Sequence, residues 1–121
     1  MRKSIISSSL QQTKNIAKTL AKILLEAQSV KRAQVLALIG ELGSGKTAFV
    51  QGFAKGLGIK ERILSPTFII MKKFEIGGSR YFYHIDCYRL DSPEKELLRL
   101  GFKDIIQNPK NIVAIEWADR V

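Results

Sequence analysis

Apolar residues recur at helical spacing early in the chain. Leu10, Thr13, Ala17, Leu20, Ala21 and Leu24 recur at helical spacing, with lysines on the other faces, and predict a helix over about 10–27. Ile5 and Ile6 predict a short strand ahead of it, and Ser8 or Ser9 can cap the helix start. Gln34 to Ile39 is a short aliphatic run ended by Gly40, the pattern of a buried strand. Helical spacing returns from about Gly45 to Leu57, with Phe49, Val50, Phe53, Ala54 and Leu57 on one face and Gly58 as a left-handed stop. The period then drops to two. Thr67 to Ile76 and Ser79 to Asp86 are β-rich runs separated by Gly77-Gly78, a two-residue signal for an antiparallel hairpin. Ser92-Pro93-Glu94 opens a third helix, which Gly101 closes after Leu97, Leu98 and Leu100. A short helical turn around Lys103 to Ile106 leads past Asn108-Pro109 to a last strand, Ile112 to Glu116. The order β-α-β-α-β-β-α-β, without repeats, predicts one three-layer α/β domain over residues 1–121 whose sheet is mixed because of the hairpin.

Composition agrees with one globular domain: 121 residues, 45% hydrophobic and 26% charged, exclude disordered, collagen-like and disulfide-scaffold classes. Apolar runs such as Val35 to Ile39 fall far short of the roughly 18 residues a membrane helix needs. A single cysteine, Cys87, leaves no internal disulfide and no cysteine-built metal site, so a reducing cytoplasm is the expected compartment and Cys87 reads as a small buried hydrophobe.

Charge changes the picture more. Twenty Lys and Arg against eleven Asp and Glu leave +9, which suggests polyanionic partners. Residues 1–33 carry seven basic residues and one acid, a net +6. That basic, serine-containing front has some features of an organellar transit peptide. It reads more simply as the first strand and helix of the fold, running without a linker into the next strand.

The chemistry is concentrated in Gly40-Glu41-Leu42-Gly43-Ser44-Gly45-Lys46-Thr47, which fits G-x4-G-K-[ST] at every fixed position. Those four positions co-occur by chance in roughly one chain of this length in a hundred or fewer. The flanking strand and helix supply the context of a P-loop NTPase-like domain. Glycines let backbone N–H groups turn towards a phosphate, and the helix N-terminus adds the positive end of a dipole. Lys46 would neutralise β- and γ-phosphate oxygens, and the Thr47 hydroxyl would reach Mg2+. No N-K-x-D guanine element and no L-S-G-G-Q transporter element accompany the loop, so ATP is the expected nucleotide.

A P-loop enzyme also needs an acid near the metal and a group that positions water. The run Ile112-Val113-Ala114-Ile115 ending in Glu116 has the form of a Walker B strand, although a strand-end glutamate is also an ordinary feature. Phe82, His84 and Asp86 alternate and so share a face of their strand, with Asp86 at its end. His84 reads as a structural, hydrogen-bonding histidine rather than a catalyst. In Ser65-Pro66-Thr67-Phe68 the proline fixes a loop, and Thr67 is either a γ-phosphate-sensing hydroxyl or part of a strand-entry turn.

Taken in order, L-I-G-E-L-G-S-G-K-T, S-P-T-F, H-I-D-C-Y-R-L and I-E-W resemble the TsaE (YjeE) family, bacterial P-loop ATPases of tRNA threonylcarbamoyladenosine synthesis. The segment Leu10-Gln11-Gln12-Thr13-Lys14 is similar to the family's N-terminal E-E-T-type segment. The resemblance implies that Gly43, Ser44, Gly45, Lys46, Thr47 and Ala48 hold the phosphates of ATP, and that Thr47 and Glu116 ligate Mg2+. It further implies that Asp86 and Glu116 act with Lys46 in hydrolysis, that Thr67 lies in a switch-like loop, and that Thr13 contacts the nucleotide. Trp117 would stand beside the site or in a core, and Tyr88 and Arg89 would support Asp86 or meet a partner. The implied activity is slow Mg-dependent ATP hydrolysis serving a TsaD–TsaB-type complex, with tRNA reached through that complex and no membrane involved. Family members usually continue beyond the E-W segment, so the end at Val121 fits either a truncated chain or an unusually short member. A stand-alone small-molecule kinase and a nucleotide-gated tRNA-binding module remain the alternatives.

Overall fold

In the computed structural model, residues 10–27, 31–38, 46–60, 71–87 and 93–116 are described. The strand expected at Ile5-Ile6, the glycine-rich loop up to Gly45, and Thr67, Tyr88, Arg89 and Trp117 lie outside them. The elements are α1 (Leu10–Glu26), β1 (Gln34–Leu38), α2 (Lys46–Gly56), β2 (Met71–Gly77), β3 (Arg80–Asp86), α3 (Pro93–Arg99), α4 (Phe102–Gln107) and β4 (Asn111–Glu116).

The strands form one mixed sheet in the order β1-β4-β3-β2. β4 is parallel to both β1 and β3, and β2 and β3 form the antiparallel hairpin. Last among the described strands in sequence, β4 sits between its two parallel neighbours and is buried along its whole length. Its unbroken apolar run fits that place, because an internal parallel strand is covered on both faces.

Alternate residues of the central strands divide the core in two. Phe82, Ile112 and Ala114 face α1 and α2, joining Ala17, Ala21, Val50, Phe53, Ala54 and Leu57. Tyr83, Ile85, Val113 and Ile115 face the other way, with Leu97 of α3 buried among them and Phe102 and Ile105 of α4 packed alongside. Helices thus cover both faces, giving the expected three layers. Aromatic rings carry the first core outward: Phe53 lies 5.5 Å from Phe82, which lies 6.1 Å from Phe74 on β2.

α1 and α2 pack almost backbone to backbone. A Cβ added at Gly52 would lie 2.7 Å from Lys14 Cα, and one at Gly56 would lie 2.9 Å from Lys18 Cα. Both glycines are on α2, one turn apart, and meet residues one turn apart on α1 in the same sequence direction. The two helices therefore run parallel. α2 ends as its sequence predicts. Gly58 has φ 86°, Ile59 N–H donates to Ala54 O at 3.0 Å, and Gly58 N–H donates to Lys55 O at 3.1 Å, the paired bonds of a Schellman stop.

The hairpin differs by one residue from the sequence expectation. Gly77 pairs with Arg80, so the two loop residues are Gly78 and Ser79, at φ 61° and 62°. Positive φ at both central positions is what a type I′ turn requires. A register shift between Glu75 and Gly77 takes up the extra residue as a bulge.

Candidate functional site

Three parallel strands end side by side. In register, Leu38 of β1 lies next to Glu116 of β4, and Glu116 lies next to Asp86 of β3. Residues 39–45 join β1 to α2 in sequence, and β1 ends at Leu38 beside the strand that carries Glu116. Ligand sites of open α/β sheets form at the carboxyl ends of strands.

Glu116 points to the α1–α2 face. It alternates with Ile112 and Ala114, which both belong to that core. Its side chain is 5% exposed, and Oε2 accepts a hydrogen bond from His84 Nε2–H at 2.6 Å. An ionised carboxylate can only accept, so with Glu116 in that form the bond takes its proton from Nε2. His84 is directly opposite Ala114 rather than Glu116. The methyl side chain of Ala114 leaves room for the ring to reach along the face to the glutamate, one alternation further on. The expectation of a hydrogen-bonding histidine is met, and its partner is the acid of the Walker B-like strand.

Asp86, half-buried, continues the row Phe82, His84, Asp86 on the same face. The next residue, Cys87, is fully buried, and its N–H donates to Glu116 O at 3.1 Å, which carries the β3–β4 pairing past the strand ends. Cys87 is the buried small hydrophobe expected of it, in the core facing α3 and α4.

The other predicted residues are placed less closely. Lys46 and Thr47 are the first two residues of α2, and Ala48, in the same turn, is buried. Thr13 is half-exposed on α1, one residue before the Lys14–Gly52 contact. At 1.5 Å per residue, the level of Gln51 on α2 is about 7–8 Å along the axis from Lys46. Thr13 is thus on the neighbouring helix, in its N-terminal half. The register alone does not bring it into the Glu116–Asp86 pair.

Sequence reading missed the His84–Glu116 contact itself. The signal was present as two alternating rows on strands bracketed by the same motifs, but nothing in the sequence states that β3 and β4 are neighbours. Among the described residues no three His, Cys, Asp or Glu side chains cluster as a preformed metal nest. The available donors, a carboxylate at the strand end and a hydroxyl-bearing residue at the start of α2, are hard oxygen ligands of the kind Mg2+ accepts alongside phosphate oxygens and water.

Comparison with known proteins adds to this geometry. A family model described as "Threonylcarbamoyl adenosine biosynthesis protein TsaE" matches residues 7–121. The tRNA threonylcarbamoyladenosine biosynthesis protein TsaE of Bacillus subtilis is 39% identical over 108 residues, covering 89% of this chain and 61% of that protein. The protein of the same name from Nostoc is 40% identical over 99 residues, 81% of this chain and 60% of its own length. The chain therefore spans about three fifths of these relatives. The crystal structure of Bacillus subtilis YdiB superposes with a TM-score of 0.66 at 35% identity, covering 93% of this chain and 62% of that one.

Proposed function

The chain belongs to the TsaE family of threonylcarbamoyl adenosine biosynthesis proteins, and from that premise we propose that it binds Mg-ATP on the 40–47 loop and hydrolyses it to ADP and phosphate. In this reading it is a cytoplasmic, single-domain ATP-driven accessory of tRNA threonylcarbamoyladenosine modification. It works with a TsaD–TsaB-type complex, which carries out the group transfer and brings the tRNA.

One observation carries the proposal: a buried, hydrogen-bonded glutamate at the end of β4, beside the strand that runs into the G-x4-G-K-T segment and beside Asp86. A buried carboxylate is costly unless it is paired or has an ion to meet. Its position at the strand ends matches the second acid of a phosphate-loop enzyme.

The proposed roles are those the family resemblance implies. Gly43, Ser44, Gly45 and Ala48 would offer backbone N–H groups to the phosphates, Lys46 would neutralise them, and Thr47 and Glu116 would hold the magnesium. When bound, Mg2+ supplies charge neutralisation to the transferring phosphoryl group. Asp86 accepts a hydrogen bond from the attacking water and sets its direction. Thr67 reads the γ-phosphate, and Thr13 lies against the nucleotide from α1.

The test is ATP hydrolysis by the purified chain, alone and with a TsaD–TsaB pair and tRNA. Slow turnover that the pair stimulates is expected, with Glu116→Gln losing turnover by about a hundredfold while retaining nucleotide binding. Unchanged turnover in Glu116→Gln would refute its role. The exposed lysines Lys14, Lys18 and Lys22, one turn apart on α1, favour a second reading, a nucleotide-gated tRNA-binding module. That reading predicts salt-sensitive tRNA binding by the isolated chain without phosphate release.

A further inference from the structure

His84 stands on an internal strand, on the face packed against α2, two residues after the core residue Phe82. It is 2% exposed, and among the described residues only His84, Asn111 and Glu116 are buried and polar. Asn111 serves local structure, donating from Nδ2 to Ile105 O at 2.9 Å. His84 is directed differently: it reaches past Ala114 to Glu116 Oε2.

We propose that His84 is the positioning residue for Glu116. Its Nε2–H holds one carboxylate oxygen, so that the glutamate keeps a single rotamer and presents its other oxygen to the metal–water network at the strand ends. This rests on the ATPase reading above. Partners that orient a metal-ligating side chain are worth roughly 10–100-fold in metal affinity or activity. A free glutamate side chain has three χ angles to lose on binding, and a held one has already lost them.

The experiment compares wild type, His84→Phe, which keeps the ring volume and removes the donor, and His84→Gln, whose amide keeps an N–H. His84→Phe is expected to lower kcat and raise the Mg2+ concentration for half-maximal turnover, each by about tenfold. Nucleotide affinity without Mg2+ should stay within about twofold, and His84→Gln should recover much of the loss. Mn2+ binding in the presence of ADP, followed by electron paramagnetic resonance, should weaken in His84→Phe without any turnover being needed.

His84 is the single histidine of the chain, so its imidazole resonances assign themselves. An Nε2–H proton slow to exchange with water, which shifts in Glu116→Gln, is expected in the wild-type protein even if His84→Phe folds poorly. Wild-type metal dependence in His84→Phe, equal losses in both variants, or an imidazole proton indifferent to Glu116→Gln would each overturn the assignment. If Glu116→Gln behaves as proposed while His84→Phe matches wild type, only the His84 assignment falls. If wild type fails to bind Mg-ATP, both fall.

Discussion

Glu116 and His84 each make the burial of the other tolerable, which sets what substitution at this pair does to stability. Glu116→Ala leaves the His84 N–H without its acceptor in a site 2% exposed. It should cost about 2–4 kcal/mol, read from urea or guanidinium denaturation. Glu116→Gln keeps an acceptor oxygen for His84 and should stay within about 1 kcal/mol of wild type, so its loss of turnover can be assigned to chemistry. A Glu116→Ala protein as stable as wild type would mean that the hydrogen bond contributes little. At the loop, Lys46→Ala should abolish nucleotide binding while leaving the melting temperature unchanged; undiminished ATP affinity would sink the phosphate-binding assignment of 40–47. The identities of Lys46, Glu116 and Asp86 as candidates were legible because each sits at a fixed place relative to a strand end. The link between His84 and Glu116 was not, because it joins residues 32 apart in sequence.

Gly52 within α2 and Gly58 just past its end illustrate opposite constraints. Gly58 needs its backbone angle and has open space around it, with nothing within 4 Å of an added Cβ. Gly58→Ala should therefore cost only the left-handed conformation, about 1–2 kcal/mol, and Gly58→Asn should cost less. Gly52 has ordinary helical geometry and no space. Alanine there gains about 0.5–1 kcal/mol of helix propensity, but its Cβ would meet backbone atoms of Lys14, which cannot rotate away. Overpacking of this kind costs about 1–3 kcal/mol, so Gly52→Ala should destabilise on balance and loosen α1 from α2. Differential scanning calorimetry checks both substitutions, and a Gly52→Ala protein more stable than wild type would contradict the close packing. The stop at Gly58 is a local matter of chain geometry and was legible. The close approach at Gly52 was not, because it is decided by a helix 38 residues away in sequence. The hairpin falls between these cases. Its existence was readable from Gly77-Gly78, whereas the loop itself slid to Gly78-Ser79 once a bulge in β2 had set the pairing.

Across the whole molecule, charge and architecture are separate layers. Of the residues behind the +9 charge, Lys14, Lys18 and Lys22 are exposed along a helix whose Ala17 and Ala21 are fully buried. Such a face steers polyanions without altering the fold. The proposed association with a tRNA-bearing complex should therefore weaken as salt rises, with log affinity falling linearly against log salt. Replacing the three lysines by glutamine should flatten that slope while leaving ATP hydrolysis by the isolated chain within about twofold. A slope identical to wild type would mean that this face does not take part. No described helix is long and apolar enough to cross a membrane.

What the sequence determined by itself was local or ordinal: helix and strand spacings, the stop at Gly58, the phosphate-loop pattern, and the order of motifs that carries the family resemblance. Each of these depends on residues within a few positions of one another, where backbone geometry and side-chain periodicity act directly. Only the tertiary structure decided that the last strand enters between β1 and β3. That insertion aligns Leu38, Glu116 and Asp86 at one end of the sheet and brings His84 to Glu116. Strand order is settled by which arrangement covers both faces of the most apolar strand, a property of the assembled core that no segment of the chain carries alone.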